Sequence, residues 1–276
     1  MENKSQLKKA KRFHELHQNF LVLPNIWDPF GAILLEHMGF PAVATASASV
    51  ALANGYRDGE NIPFHLLLAV VKRIVQSTSL PVTVDMESGY SDTLDQLAQN
   101  VSRFLDSGVI GINLEDYCHR SKQLYAADEQ CRRIEQIRET ADKKGIPLFI
   151  NARTDVCVKH LSSSKEENFK EAIQRGKKYL EAGADGIFLL GGFEENELVE
   201  AVSTLKAPIN LLVNTKILDT QRLKQIGIRR VSLGPALFKI MVASIQDILK
   251  EVQSENLNAI KNAKITLDEL NQLVKV

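Results

Sequence analysis

The feature that most constrains the fold of this sequence is a regular alternation of short apolar runs with longer amphipathic stretches. Eight of these runs are rich in residues that favour β-strands and are too short for helices: residues 20–23, 42–45, 82–85, 110–114, 148–151, 186–190, 209–213 and 230–233. Several are continuously apolar, which is typical of strands buried on both faces of a parallel sheet.

The stretches between the runs carry apolar residues at three- and four-residue spacing, for example over residues 93–107, 128–144 and 165–182. Gly108, Gly145 and Gly183 stand where these helices should stop. Eight strands alternating with helices over roughly 230 residues predict a closed (β/α)8 barrel. A doubly wound open sheet is the alternative, but the glycine fingerprint of such nucleotide-binding folds is absent after the first strand.

Length and composition fit one globular domain. The 276 residues are 44% hydrophobic and 25% charged, so a disordered chain or a small disulfide scaffold is excluded. We expect a single barrel domain over residues 1–276, with a helical tail from about residue 246 to residue 276. This tail either caps the barrel or packs on a neighbouring subunit.

Charge and cysteine content limit the partners. Lys plus Arg and Asp plus Glu are 34 each, so the net charge is +0 and the basic excess of a nucleic-acid binder is missing. No stretch approaches the 18 apolar residues of a membrane span, and the N-terminus lacks the apolar core of a secretory signal. Three cysteines without a CxxC pair favour reduced thiols. We therefore expect a cytoplasmic protein that binds neither nucleic acid nor membrane.

Candidate chemistry lies where three successive strands end, because barrel enzymes place their sites at the carboxyl ends of the strands. Asp85 and Glu87 follow the third strand, Glu115 ends the fourth and Arg153 ends the fifth. Asp85 and Glu87 share one face if the strand stays extended. Such an all-oxygen set predicts a site for Mg²⁺, with Mn²⁺ as the alternative, and Arg153 is suited to a substrate carboxylate.

The alternative interpretation of these carboxylates is that they cap the helices that follow, since acidic side chains favour helix N-termini. For three acids on adjacent strand ends beside an arginine, helix capping is a weaker interpretation than a metal site. For Asp116 and Asp155 capping is the stronger interpretation, so we predict these two to be caps and leave them outside the site.

Taken in chain order, six segments resemble the isocitrate lyase/phosphoenolpyruvate mutase superfamily. They are LPNIWD at residues 23–28, TASAS at 45–49, GYRDGE at 55–60, DMESGY at 85–90, NLED at 113–116 and NARTD at 151–155. No single segment is decisive, but the ordered series is specific and the match covers nearly the whole chain.

The resemblance implies a barrel whose eighth helix is exchanged between subunits of a homodimer or homotetramer. It also implies Mg²⁺-dependent making or breaking of a C–C or P–C bond beside a 2-oxo acid, with a metal-bound enolate as the intermediate of the C–C lyases. By position, Asp85 is similar to the direct metal ligand, and Glu87 and Glu115 to the residues that hold metal-bound waters.

Three further roles follow from the same resemblance. Asp58 is similar to an acid near the metal and is, with Arg153, a candidate catalytic residue. Ser47 and Ala48 are implied to bind the substrate carboxylate through their backbone N–H groups, and Arg153 to neutralise the same end. Charge stabilisation by metal and cation would be the physical basis of catalysis.

The sequence departs from the family pattern at two places. Many members have Asp where Glu87 stands. The lyases also carry a Lys-Lys/Arg-Cys-Gly-His segment after the fourth strand, whose Cys acts as acid and base. Here the corresponding stretch, YCHRSKQL at residues 117–124, is shorter, and Cys118 lies too close to the strand end to be equated with that Cys.

The expected function is therefore a Mg²⁺-dependent lyase or decarboxylase for a small 2-oxo or 2-hydroxy dicarboxylic acid. Decarboxylation requires least from the missing segment, because water can protonate the enolate. One alternative is P–C bond chemistry of the phosphoenolpyruvate mutase or phosphonopyruvate hydrolase type. The other is a catalytically silent barrel that binds a small diacid.

Overall fold

The computed structural model describes residues 2–213, 219–262 and 264–274. Its strands are β1 Leu21–Leu23, β2 Asn25–Ile26, β3 Val43–Thr45, β4 Val82–Asp85, β5 Gly111–Glu115, β6 Tyr117–Cys118, β7 Gln123–Leu124, β8 Phe149–Thr154, β9 Gly186–Leu189, β10 Ile209–Leu212 and β11 Arg230–Ser232. Its helices are α1 Glu2–Leu16, α2 Pro29–His37, α3 Ser47–Ala53, α4 Phe64–Gln76, α5 Leu94–Asp106, α6 Ala127–Lys143, α7 Val156–Lys159, α8 Lys165–Glu181, α9 Glu195–Leu205, α10 Thr220–Ile226, α11 Ala236–Gln253 and α12 Leu267–Leu273, with a 3₁₀ turn at Leu257–Asn262.

The main sheet closes on itself. Nine strands follow the order β1-β11-β10-β9-β8-β5-β4-β3-β2, and every pair is parallel. The two end strands, β1 and β2, are consecutive in the chain and separated by Pro24, which has no N–H to donate to a neighbouring strand. They are two halves of one barrel strand, so the predicted (β/α)8 barrel is confirmed and the open sheet is excluded.

The eight predicted strands match the observed ones within a few residues, because continuous apolar runs in this chain are buried on both sides. The largest extension is β8, which continues to Thr154 because its neighbours pair with it along its length. The predicted tail has a different beginning: α11 starts at Ala236, directly after β11, so residue 246 lies inside this helix.

Helix α1 closes the end of the barrel at which the strands begin. Phe13 and His17 are buried there against Phe149, the first residue of β8. The His17 ring stacks on the Phe149 ring with centroids 4.0 Å apart, and Phe13 meets the same ring edge-on at 5.4 Å. One end of the barrel is thus filled, and the other end is left for a site.

His17 predicts how stability depends on pH. Its Nδ1 donates to the Phe13 carbonyl oxygen at 2.8 Å, and burial, followed by the charge of Arg230, lowers its pKa from 6.5 to about 3. Between these values the unfolded chain holds a proton that the folded chain lacks, so stability falls as pH falls through this window. In His17→Gln we expect the free energy of unfolding, measured by urea denaturation, to depend less on pH between about 6 and 4, with slopes that differ by up to about 1.4 kcal/mol per pH unit.

The control for this measurement is His65→Gln, because the His65 side chain is exposed on α4. That variant should keep the slope of the parent protein. Equal slopes for His17→Gln and the parent would contradict a neutral, buried His17.

The last described helices do not join the barrel core. Helix α11 has no buried residue, and it exposes the large apolar side chains Ile240, Ile245, Ile248 and Leu249. Within the described ranges, no helix has both the length and the apolar character that crossing a membrane requires.

Candidate active site

A cavity of about 190 Å³ opens at the carboxyl ends of the barrel strands. Five of the predicted site residues line it: Ser47, Ala48, Asp58, Asp85 and Arg153. The two other predicted residues, Glu87 and Glu115, are buried behind this wall and do not line the cavity. A larger cavity of about 340 Å³ beside Cys157 contains none of the predicted residues.

Asp85 ends β4 and is held by the first turn of α3. The Ser47 backbone N–H and hydroxyl both donate to Asp85 Oδ2, at 3.2 and 2.8 Å, and the Thr45 hydroxyl accepts from the Asp85 N–H at 3.0 Å. The Ser47 N–H that the resemblance assigns to the substrate carboxylate therefore bonds Asp85 in this structure.

Glu87 does not share a strand face with Asp85, and the premise of that prediction was wrong. Strand β4 ends at Asp85, and Glu87 has φ +51°, a left-handed conformation that turns its side chain away from the strand direction. Its carboxylate accepts from the Tyr90 hydroxyl at 2.7 Å and from the Glu60 N–H at 2.8 Å. Burial, with added repulsion from Glu115, Asp85 and Asp58, raises the pKa of Glu87 to about 8.

His119, which sequence reasoning missed, joins the two buried glutamates. It lies in the turn of the β6–β7 hairpin, with Nε2 2.5 Å from Glu115 Oε1 and 3.3 Å from Glu87 Oε2. Burial opposes its charge, but the hydrogen bond to Glu115 and the charges of Glu115 and Glu87 prevail and raise its pKa to about 9. The available signal was its position in the segment that replaces the lyase Cys loop.

Arg153 is already paired with two carboxylates. Its Nη1 lies 2.8 Å from Glu115 Oε2, and its Nε and Nη2 donate to the two Asp155 oxygens at 2.6 and 2.8 Å. Burial opposes the charge of Arg153, but Glu115 and Asp155 outweigh it and raise its pKa. Arg153 thus lines the cavity with its charge largely neutralised, and only its remaining donors can bind a substrate carboxylate.

The prediction that Asp116 and Asp155 cap helices was wrong. Asp155 occupies the N-cap position of α7 without a side-chain cap bond, because its carboxylate is turned to Arg153. Asp116 is fully buried and accepts from the Asp155 N–H, from Arg175 and from the Tyr179 hydroxyl, at 2.8, 3.1 and 2.8 Å. The two aspartates thus hold Arg153 and the end of β8 in place behind the cavity.

The site contains more acidic than basic side chains. Burial and the charge of Asp85 raise the pKa of Asp58, and Glu87 is repelled by three neighbouring acids. Within the described ranges, no three His, Cys, Asp or Glu side chains are arranged to hold an ion directly. Crowded carboxylate oxygens nevertheless have the donor chemistry that Mg²⁺ and Mn²⁺ prefer, and Mg²⁺ usually keeps several waters. The residues can supply one or two direct ligands to such an ion, with the other acids farther from it.

Further cavity residues were not predicted from the sequence. Asn113 and Ser232 contribute polar groups, while Phe188, Leu190 and Leu212 form an apolar side. Asn25 shapes the rim, because its Oδ1 accepts from the Leu233 and Gly234 N–H groups at 2.9 Å each. Asn25 and Asn113 lie in two of the segments that carry the superfamily resemblance, whereas no local sequence pattern distinguishes the other residues from ordinary strand and loop residues.

Comparisons with known proteins agree with this architecture. A family model described as phosphoenolpyruvate phosphomutase matches residues 13–253. A Burkholderia cenocepacia J2315 protein, solved as a candidate phosphonomutase, is 34% identical with a TM-score of 0.83, and the match covers 88% of this chain and 99% of that one. The 2-methylisocitrate lyase of Halalkalibacterium halodurans is 28% identical over 265 residues, which are 91% of this chain and 84% of that protein.

A phosphonopyruvate hydrolase solved with oxalate and Mg²⁺ has the same fold. Its TM-score is 0.83 over 96% of this chain and 94% of that chain, at 18% identity. At that identity the similarity shows a shared barrel and no more.

Proposed function

The chain belongs to the phosphoenolpyruvate phosphomutase family, and from this premise we propose that it is a Mg²⁺-dependent lyase or decarboxylase. Its substrate would be a small 2-oxo or 2-hydroxy dicarboxylic acid that reacts through an enolate. The observation that carries the proposal is the single cavity in which Asp58, Asp85 and Arg153 meet. Its volume of about 190 Å³ is below the ~300–1,000 Å³ of clefts for drug-sized ligands, which favours a small acid.

We assign the roles by position. Asp85 would hold the ion directly, and Glu87 and Glu115 would hold its waters, with Asp58 nearby. When bound, Mg²⁺ supplies positive charge at the oxygens of the ligand. Ser47 and Ala48 would donate N–H groups to the substrate carboxylate, and the free edge of Arg153 would face the same end. Mn²⁺ is the alternative ion.

The short β6–β7 hairpin favours decarboxylation over cleavage that needs a delivered proton. In decarboxylation the bond between carbon 3 and its carboxylate breaks, CO₂ leaves, and the electron pair enters the enolate. Water then protonates carbon 3. Among the described residues lining the cavity, no cysteine is present to act as the acid. Decarboxylation does not require one, because water delivers the proton.

A second candidate has its own support. The family model that matches residues 13–253 is described as phosphoenolpyruvate phosphomutase, so P–C bond chemistry of a phosphonopyruvate or phosphoenolpyruvate substrate is the alternative reaction. Phosphorus NMR of the protein with phosphonopyruvate distinguishes the two, since only P–C chemistry converts the phosphonate signal. A silent barrel that binds a diacid without turnover is the third reading.

Assembly is part of the proposal. The exposed apolar side chains of α11 favour a homodimer or homotetramer in which this helix packs on a neighbouring copy. Nothing in the proposal requires nucleic acid, a membrane or a location outside the cytoplasm. The mass of a single copy in sedimentation experiments would contradict the assembly.

The experiment that tests the proposed site is thermal unfolding with Mg²⁺ and oxalate, added separately and together. Oxalate imitates the planar enolate of pyruvate, so its binding should depend on the ion. At about 100 times its Kd, a ligand adds roughly 2.7 kcal/mol of stability. We expect a large shift only when both components are present, and EDTA should abolish it.

Turnover is then measured as CO₂ release from oxaloacetate and related diacids, with the metal-only rate subtracted. A joint shift with release above that background supports a decarboxylase. The absence of any joint shift would overturn the proposed site, and a joint shift without turnover of C–C or P–C substrates would favour the silent barrel.

A further inference from the structure

The barrel interior directly below the cavity is polar rather than apolar. Asn113, Asn151, Asn210, Arg230 and Ser232 are each at most 4% exposed, and Arg230 is 0% exposed. Within the described ranges, Arg230 forms no ion pair with a carboxylate. A buried guanidinium without a salt-bridge partner is unfavourable unless its position serves another purpose.

The contacts of Arg230 define the orientation of Asn113. Arg230 Nη2 lies 3.4 Å from Asn113 Oδ1, and Asn151 Nδ2 donates to the same oxygen at 2.8 Å. A guanidinium can only donate hydrogen bonds, so the Asn113 atom that faces it must be the carbonyl oxygen and not the amide nitrogen. Arg230 therefore selects one of the two orientations of this carboxamide.

The orientation leaves the Asn113 nitrogen available. Both hydrogen bonds to Asn113 end on Oδ1, and among the described residues none accepts from Nδ2. Asn113 lines the cavity together with Asp85. Its Nδ2 is thus a donor at the floor of a cavity whose other near groups include the acids Asp58 and Asp85.

Arg230 fixes a second cavity residue in the same way. Its Nε donates to Ser232 Oγ at 3.0 Å, and that hydroxyl donates to Asn210 Oδ1 at 3.1 Å. Arg230 Nη1 has no partner in the described chain. Burial lowers the pKa of Arg230 to about 9, against the opposing charge of Asp85, so the group still carries its charge at neutral pH.

We propose that Arg230 is a positioning residue that turns Asn113 Nδ2 toward the cavity as a hydrogen-bond donor for an oxygen of the substrate. Its buried positive charge also favours an anion directly above it. The inference rests on the proposed function only in taking the ligand to be a small, oxygen-rich acid. It adds a donor, on the strand next to Asp85, that recognises an oxo or carboxylate oxygen of the ligand.

A double-mutant cycle tests the link between the two residues. We expect Arg230→Met and Asn113→Ala each to raise the Kd for oxalate about tenfold at saturating Mg²⁺, as measured by calorimetry. In the Asn113→Ala background, Arg230→Met should add less than threefold, since its effect passes through the missing carboxamide. An equal factor in both backgrounds would overturn the positioning role.

Arg138→Met is the matched control. Arg138 is a partly buried arginine that bonds Gly183, Leu148 and Asp185 outside the cavity. This change should lower the unfolding temperature and leave the Kd for oxalate unchanged. If Arg138→Met weakens oxalate binding as much as Arg230→Met does, a general loss of rigidity explains both effects and the proposal fails.

Asn113→Asp keeps the proposal testable if Arg230→Met does not fold. The aspartate gives Arg230 a carboxylate partner but replaces the donor nitrogen with an oxygen. We expect a higher unfolding temperature together with an at least hundredfold weaker affinity for oxalate. Oxalate binding as tight as in the parent protein would refute the donor.

Failure of the proposed function can be separated from failure of this inference. If the parent protein binds no oxalate, the proposed function fails, and the unfolding temperature alone decides the Arg230–Asn113 contact. A higher unfolding temperature in Asn113→Asp supports the contact. Adding Arg230→Lys to that variant should reduce this increase, because Lys lacks the planar fork of donors. No rise would reject it.

Discussion

Replacing Asp85 by asparagine is expected to abolish Mg²⁺-dependent turnover and to weaken Mn²⁺ binding, measured by electron paramagnetic resonance, by more than about 100-fold. The reason is that second-sphere partners of a metal already contribute about 10–100-fold, and a direct ligand contributes more. Asparagine keeps the size of the side chain, so the contacts from Ser47 can persist. The change therefore removes charge rather than packing.

Two variants frame this result. Glu87→Gln should weaken the binding of Mn²⁺ by about 10–100-fold, as expected for a group that contacts the ion through water. Asp95→Asn, on the exposed surface of α5, should leave binding and turnover unchanged. Parent-like Mn²⁺ affinity in Asp85→Asn would show that the metal assignment is wrong.

The second large effect is on stability. Asp116→Ala is expected to lower the free energy of unfolding by about 3–5 kcal/mol, because it breaks a buried ion pair: Arg175 Nη1 loses its carboxylate, and only Nε keeps one, that of Glu171. The Tyr179 hydroxyl and the Asp155 N–H lose their acceptor at the same time. Urea unfolding followed by circular dichroism measures the change.

Asp128→Ala is the control for this prediction, since Asp128 forms an exposed ion pair with Lys178 and should have little effect. Replacing both charges, with Asp116→Leu and Arg175→Met, should restore part of the lost stability, because a buried pair is often replaceable by apolar groups. An Asp116→Ala midpoint equal to that of Asp128→Ala would contradict the bracing role of Asp116.

The site was predicted as far as strand order allows. Parallel strands in a barrel all end at one rim, so residues that follow those ends must meet, and Asp85 and Arg153 do share one cavity. Ser47, Ala48 and Asp58 came from the superfamily resemblance, and the family match over residues 13–253 confirms that resemblance. The catalytic and metal roles of these residues stay predictions.

Side-chain direction could not be predicted in the same way. The expectation for Glu87 depended on an extended strand, and a left-handed φ at that residue redirected its carboxylate to Tyr90 and Glu60. Arg153 was expected to bind a substrate carboxylate, and the structure adds that Glu115 and Asp155 already occupy three of its donors. His119 contacts the glutamates because a hairpin turns the chain back over the rim.

The sequence by itself determined the barrel, the order of its strands and the rim that holds the acids, because periodicity and burial are local properties that repeat along the chain. Only the tertiary structure decided which charges are paired. Whether Arg153 pairs with Glu115, and whether Arg230 orients Asn113, depends on distances between residues far apart in sequence. Hydrogen bonds and ion pairs act over a few ångströms, and closure of the barrel sets those distances.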